Sequence, residues 1–127
     1  MTENEVATIV VDAAFKIHKT FGPGLFESVY EAALKYELQK RGLMVVQQLG
    51  VPVQYEGLNL GFGFRVDLLV DSRIIIEIKS VEALAPVHNK QLATYLRLMD
   101  LRLGILINFN VELIKYGIQR VVNRLVE

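Results

Sequence analysis

The stretch LGFGFRVDLLVDSRIIIEIK, Leu60 to Lys79, decides the fold, because it reads as two strands joined by a tight connection at Asp71-Ser72-Arg73. Side chains alternate across a strand, so Phe62, Phe64, Val66, Leu68 and Val70 are expected on one face. Ile74, Ile76 and Ile78 share one face of the next strand. Both apolar sets enter one core only if Val70 lies opposite Ile74, Leu68 opposite Ile76 and Val66 opposite Ile78. That register also sets the other face, with Asp67 directly opposite Glu77, Leu69 opposite Ile75 and Arg65 opposite Lys79. Directly opposed carboxylates have Cβ atoms about 4.5–5.5 Å apart. They repel unless one is protonated, paired or bridged by a cation. Lys79, two residues beyond Glu77 on the same face, is one compensating charge. A hard divalent ion held by carboxylate and carbonyl oxygens is another. A solvated sheet face with weak ion pairs, worth about 0–1 kcal/mol, accommodates the same residues.

Upstream of the hairpin, Val6, Ile9, Val10, Ala13, Ala14, Ile17 and Phe21 recur at helical spacing and predict a helix over residues 3–20. Gly22-Pro23-Gly24 ends it. A second helix is expected over residues 25–40, closed by Gly42, with Val29, Ala32, Ala33 and Tyr36 as its buried stripe. Glu27 sits in its first turn and is a further carboxylate for the hairpin if this helix covers it. Residues 44–55 read as one bent strand with Gly50-Pro52 at a bulge. Glu56 to Asn59 reads as a turn. Downstream, residues 87–101 return to helical spacing through Leu92, Leu96 and Met99, and Gly104–Phe109 is a wholly apolar strand of the kind buried on both faces. The strand–helix–strand crossover places that strand parallel to the one ending at Lys79. The tail beyond Ile114 fits neither periodicity. The expected architecture is an α/β sandwich.

The 127 residues suit a single domain spanning 1–127, and at 52% hydrophobic the chain can bury a core. Fourteen Lys and Arg balance fourteen Asp and Glu, which argues against a strong non-specific grip on nucleic acid. The charge is uneven, however. From Pro86 onward six bases face three acids, enough for a modest basic face. There is no cysteine, hence no thiolate nucleophile and no cysteine-ligated metal. No apolar run is long enough to span a bilayer, and MTENEV lacks the features of a signal peptide, so a cytoplasmic location without membrane partners is expected. His18 and His88 have no neighbours at metal-ligand spacing and read as ordinary helix residues. Gly57, Gly61 and Gly63 do not precede a helix, so they read as turn and bulge positions rather than a phosphate loop.

Asp67 followed by Glu77-Ile78-Lys79 resembles the D…(D/E)xK signature of the PD-(D/E)XK nuclease superfamily. Gly24 to Tyr30, GLFESVY, resembles the GxxExxY pattern that names a small family within it. Gln91 to Tyr95, QLATY, is similar to the QxxxY motif of RecB-type nucleases. With FRVDLLV, IIIEIKSVE and GILINFNVELIKYGIQRVVN, the resemblance covers almost the whole chain. Two departures stand out: Val66 replaces the proline of the leading PD, and Tyr116 occupies a turn where a small or acidic residue is expected.

The resemblance implies a restriction-endonuclease-like αβββαβ core, with a mixed four-stranded sheet flanked by helices and an extra N-terminal helix. It implies a nuclease acting on nucleic acid, DNA being the expected polymer. Asp67, Glu77 and the Ile78 backbone carbonyl would hold Mg²⁺ or Mn²⁺, and Lys79 would assist the attacking water. Glu27 would orient water or help hold a second ion, with Tyr30 as its buttress. Gln91 and Tyr95, four apart on one helix face, would contact the phosphate backbone together with Arg65. Lys90 and Arg97 would aid binding. A homodimer, built on the Phe62/Phe64 strand or the tail, is compatible with such a nuclease. Two other activities fit the same residues: a non-catalytic binding module that retains the fold, and hydrolysis of a small nucleotide.

Overall fold

In the computed structural model, which describes residues 1–126, helix α1 (Glu3–Phe21) starts from a reciprocal cap. The Thr2 hydroxyl accepts from the Glu5 N–H, and the Glu5 carboxylate accepts from the Thr2 N–H. The helix stops at Gly22, whose φ of +68° suits glycine. Helix α2 (Glu27–Lys40) buries Tyr30, Glu31, Leu34, Glu37 and Leu38. The expected stripe of Val29, Ala32, Ala33 and Tyr36 is therefore out of phase, since Val29, Ala32 and Tyr36 are exposed and Ala33 is only half-buried. Tyr30, Leu34 and Leu38 remove more apolar area from water than two alanines do, and they set the rotation. The two acids on that face are paired. Glu37 meets Lys16 at 2.9 Å, and Glu31 accepts from the Gln47 and Gln48 carboxamides.

Five strands follow: β1 (Val45–Tyr55), β2 (Leu58–Val70), β3 (Ile74–Lys79), β4 (Leu103–Asn108) and β5 (Ile118–Val122), with α3 (Pro86–Met99) between β3 and β4. They lie in the order β1-β2-β3-β4-β5. β3 and β4 are parallel, as the crossover demands, and every other pair is antiparallel. The sheet thus has five strands rather than four. The tail supplies the fifth, an edge strand whose Gln119 and Arg120 obscure its alternation.

Both faces of the sheet are covered, in the layering of a restriction-endonuclease-like fold. Leu68, Val70, Ile74, Ile76, Ile78, Leu103, Ile105 and Ile107 pack against α1 and α2. Val66, Ile75 and Leu106 pack against Leu92 and Leu96 of α3, with Leu69 and Tyr95 alongside. Burial on both sides explains why β3 and β4 are apolar at nearly every position.

The β1–β2 hairpin does not keep one face throughout. Leu68 and Val70 join the first core, but Val66 and Phe64 join the second, and Phe62 is 79% exposed. The expected common face therefore breaks at Asp67. Opposite it, Gln48 has a φ of +52°, unusual for a residue with a side chain. Between Gln48 and Asp67 the hairpin rolls over, and its outer half projects past the core. Gly63 permits this, because a Cβ there would stand 2.3 Å from a Val53 methyl. The tip is a two-residue turn at Glu56-Gly57, both with positive φ, so Leu58 and Asn59 belong to β2.

Candidate active site

The hairpin register is as the apolar pattern requires, but only in part: Val70 pairs with Ile74, Leu69 with Ile75 and Leu68 with Ile76, and there the ladder ends. Asp67 and Glu77 are not simply side by side across a ladder. Each carboxylate takes a backbone N–H from the other's strand. Asp67 N–H donates to Glu77 Oε2 at 2.7 Å, and Ile78 N–H donates to Asp67 Oδ2 at 2.8 Å. The side chains replace the missing rungs, so the strands part at the acids. In an extended strand the N–H and C=O of one residue leave on the same side. The Ile78 carbonyl therefore also leaves on the β2 side.

Burial governs the electrostatics. Glu77 is 6% exposed, and its carboxyl is pushed up to about 8, first by desolvation and then by the Asp67 charge. Glu31 pushes in the same direction, while the Asp67 N–H and Lys79 partly oppose them. Lys79 is half-buried and makes no hydrogen bond or ion pair among the described residues. An ammonium with all its donors unclaimed beside two carboxylates is available to a water or a phosphate oxygen.

Glu27 and Glu31 divide the work of α2. Glu27 Oε2 accepts from the Ser80 N–H at 2.9 Å, and the Ser80 hydroxyl donates to the Leu25 carbonyl at 2.7 Å. These bonds fasten the exit of β3 to the start of α2. Tyr30 supports the loop before Glu27 rather than its carboxylate: its hydroxyl donates to the Gly22 carbonyl at 2.6 Å and accepts from the Leu25 N–H at 3.1 Å. Its ring stacks on Phe109, 4.4 Å between centroids.

One turn further on, Glu31 is the carboxylate whose field reaches Glu77. It accepts from Gln48 Nε2 at 2.7 Å, and the same nitrogen donates to Asp67 Oδ1 at 3.2 Å. Neither Glu31 nor Gln48 was expected from the sequence. The signal for Glu31 was its spacing of four from Glu27, which puts both on one helix face. Gln48 gave none.

On the other side of the sheet, α3 brings Tyr95 to the site. Its ring stacks on Phe64, 4.1 Å between centroids, and its hydroxyl is pushed up by burial and then by the Glu77 and Asp67 charges. It therefore stays a hydrogen-bond donor. Gln91 and Arg65 are exposed and make no hydrogen bond or ion pair among the described residues. His18 and His88 serve the fold: His18 Nε2 lies 2.8 Å from the Val111 carbonyl, and His88 Nδ1 accepts from the Ala85 N–H. The buried Asn108 carboxamide, at the end of β4, grips both backbone groups of Val81 and holds the segment after β3.

The donor set suits a hard divalent ion. The Asp67 and Glu77 carboxylates lie against one another's strands, and carboxylate oxygens are the donors such an ion takes.

This layering is that of a restriction-endonuclease-like domain. The chain matches the model of the PD-(D/E)XK nuclease superfamily over residues 4–121 and belongs to that superfamily. No curated protein matches it. Among solved structures it is similar to the crystal structure of SSO0001, at 21% identity and a TM-score of 0.59, over 79% of this chain and 52% of that one. The chain spans about half the length of that protein, and the likeness is one of fold. Among the described residues no helix is long and apolar enough to cross a membrane.

Proposed function

We propose that the protein is a divalent-metal-dependent nuclease that hydrolyses phosphodiester bonds in nucleic acid, with DNA as the principal polymer, and that it belongs to the GxxExxY group. The observation that carries this reading is the crossed pair Asp67 and Glu77 beside an unpaired Lys79 ammonium. Asp67, Glu77 and the Ile78 carbonyl would hold Mg²⁺ or Mn²⁺. When bound, such an ion polarises the phosphodiester and acidifies a water. Lys79 orients the attacking water and offsets charge gathering on the phosphate oxygens. Gln91, Arg65 and the Tyr95 hydroxyl donate to the phosphate backbone. Glu27 orients a water at the end of β3, and Glu31 holds Gln48 against Asp67.

In a cleavage assay with Mg²⁺ or Mn²⁺, the wild type is expected to cut, and Asp67→Ala and Lys79→Ala are expected not to. Equal cutting by all three proteins would identify a contaminant and remove the assignment. A second reading, a binding module without catalysis, is favoured by one observation, the balance of fourteen basic against fourteen acidic side chains. Calorimetric titration with Mn²⁺ separates the two, since the module takes up no ion.

A further inference from the structure

Phe62 is 79% exposed although it lies in a paired strand, opposite Pro52. Its ring lies over Gly50, where an added Cβ would stand 3.4–3.5 Å from three ring atoms. One ring face thus rests on bare backbone and the other meets solvent. The ring borders a cleft of about 500 Å³ lined by Gln48, Gly50, Phe62, Gly63, Phe64 and Arg65. Two of these residues tie the cleft to the carboxylates. Gln48 bonds Asp67 directly, and Arg65 precedes Asp67 by two residues. Phe64 has one face already occupied by Tyr95. Phe62 is the aromatic left for a ligand.

An open aromatic face beside an unpaired guanidinium has the composition of a site for nucleic-acid single strands: the ring stacks a base and the cation meets a phosphate. A base inside a duplex cannot use such a site, because both its faces are already stacked. We propose that Phe62 is a stacking platform for an unpaired base on the strand being cut, so that the substrate class is single-stranded or locally unpaired nucleic acid. The assignment of the cut strand rests on the nuclease reading above. Phe62 stands five residues, roughly 17 Å along the strand, from Asp67. The stacked base therefore lies several nucleotides along the nucleic-acid strand from the scissile bond.

The test measures fluorescence anisotropy of a labelled single-stranded DNA oligonucleotide and of its duplex in a Lys79→Ala background, which on this reading binds without cutting. Phe62→Ala is expected to lose roughly ten- to a hundredfold in single-strand affinity and nothing in duplex affinity, while Phe62→Trp keeps both. Unchanged single-strand affinity, or an equal loss on both forms, overturns the platform. So does a dimer that Phe62→Ala dissociates while oligonucleotide affinity stays the same, because the ring would then belong to an interface between copies. Cleavage by the proteins carrying Lys79 separates this inference from the one beneath it. Wild-type cutting with no effect of Phe62→Ala on strand preference sinks the platform alone. Loss of single-strand binding by Phe62→Ala without cutting by any protein sinks the nuclease reading and leaves the platform standing.

Discussion

Desolvation and the neighbouring Asp67 charge raise the Glu77 carboxyl from an ordinary value of 4.5 to about 8 in the folded protein. Between those limits the native state holds a proton that the unfolded chain releases. Metal-free stability is therefore greatest below about pH 4.5 as far as this group is concerned, falls as pH rises, and levels out above about pH 8. Glu77→Gln keeps an oxygen for the Asp67 N–H and carries no charge. Its melting temperature in EDTA is expected to fall less from about pH 5 to about pH 9 than that of the wild type. A curve parallel to wild type would contradict the raised carboxyl. A cation competes with the same proton, so Mn²⁺ affinity measured by calorimetry is expected to climb with pH and to flatten above about 8. Asp67 and Glu77 were legible as neighbours from strand alternation together with the register that the apolar residues impose, although the ladder stops short of them. Their crossed hydrogen bonds were not, because the sequence carries no sign of where a ladder stops.

At the scale of elements, the start of α2 and the end of β3 depend on each other. The Tyr30 hydroxyl, fully buried, holds the loop that presents Leu25 and Glu27, and those two residues hold Ser80. Tyr30→Phe keeps the stack on Phe109 but leaves the Gly22 carbonyl and the Leu25 N–H without their partner. It is expected to destabilise the protein by about 1–3 kcal/mol in urea denaturation and to lower cleavage with the metal site intact. A neutral Tyr30→Phe would show that water replaces the hydroxyl. Helices and strands were readable here wherever a stripe was strong, as in α1 and β3. The phase of α2 was not, because alanines and an exposed valine offered a second stripe. Nor was the roll of the β1–β2 hairpin, since its pivot, Gln48, is a residue type with no preference for the left-handed region.

For the whole molecule, zero net charge limits how firmly a polyanion is held. Arg65, Lys90 and Arg97 are the exposed bases proposed to meet phosphates, and three such contacts give a salt slope of only about −2 to −3. Binding titrations across sodium chloride concentrations are expected to show this shallow dependence, and a slope beyond about −5 would require a basic surface that three contacts do not supply. The overall architecture was accessible from the order of periodicities and from the parallel crossover. The fifth strand was the exception, being short and at an edge, where burial writes little into sequence.

The Tyr30–Phe109 stack and the Asn108 grip on Val81 join distant parts of the chain. A ribosome finishes α2 long before it reaches Phe109. Until then Tyr30 lacks its stacking partner, the stretch after Lys79 lacks its clasp, and β3 lacks the parallel neighbour that holds its far side. Asp67 and Glu77 are therefore translated before the contacts that fasten their surroundings can form, and the two acids take their final setting only once β4 has emerged.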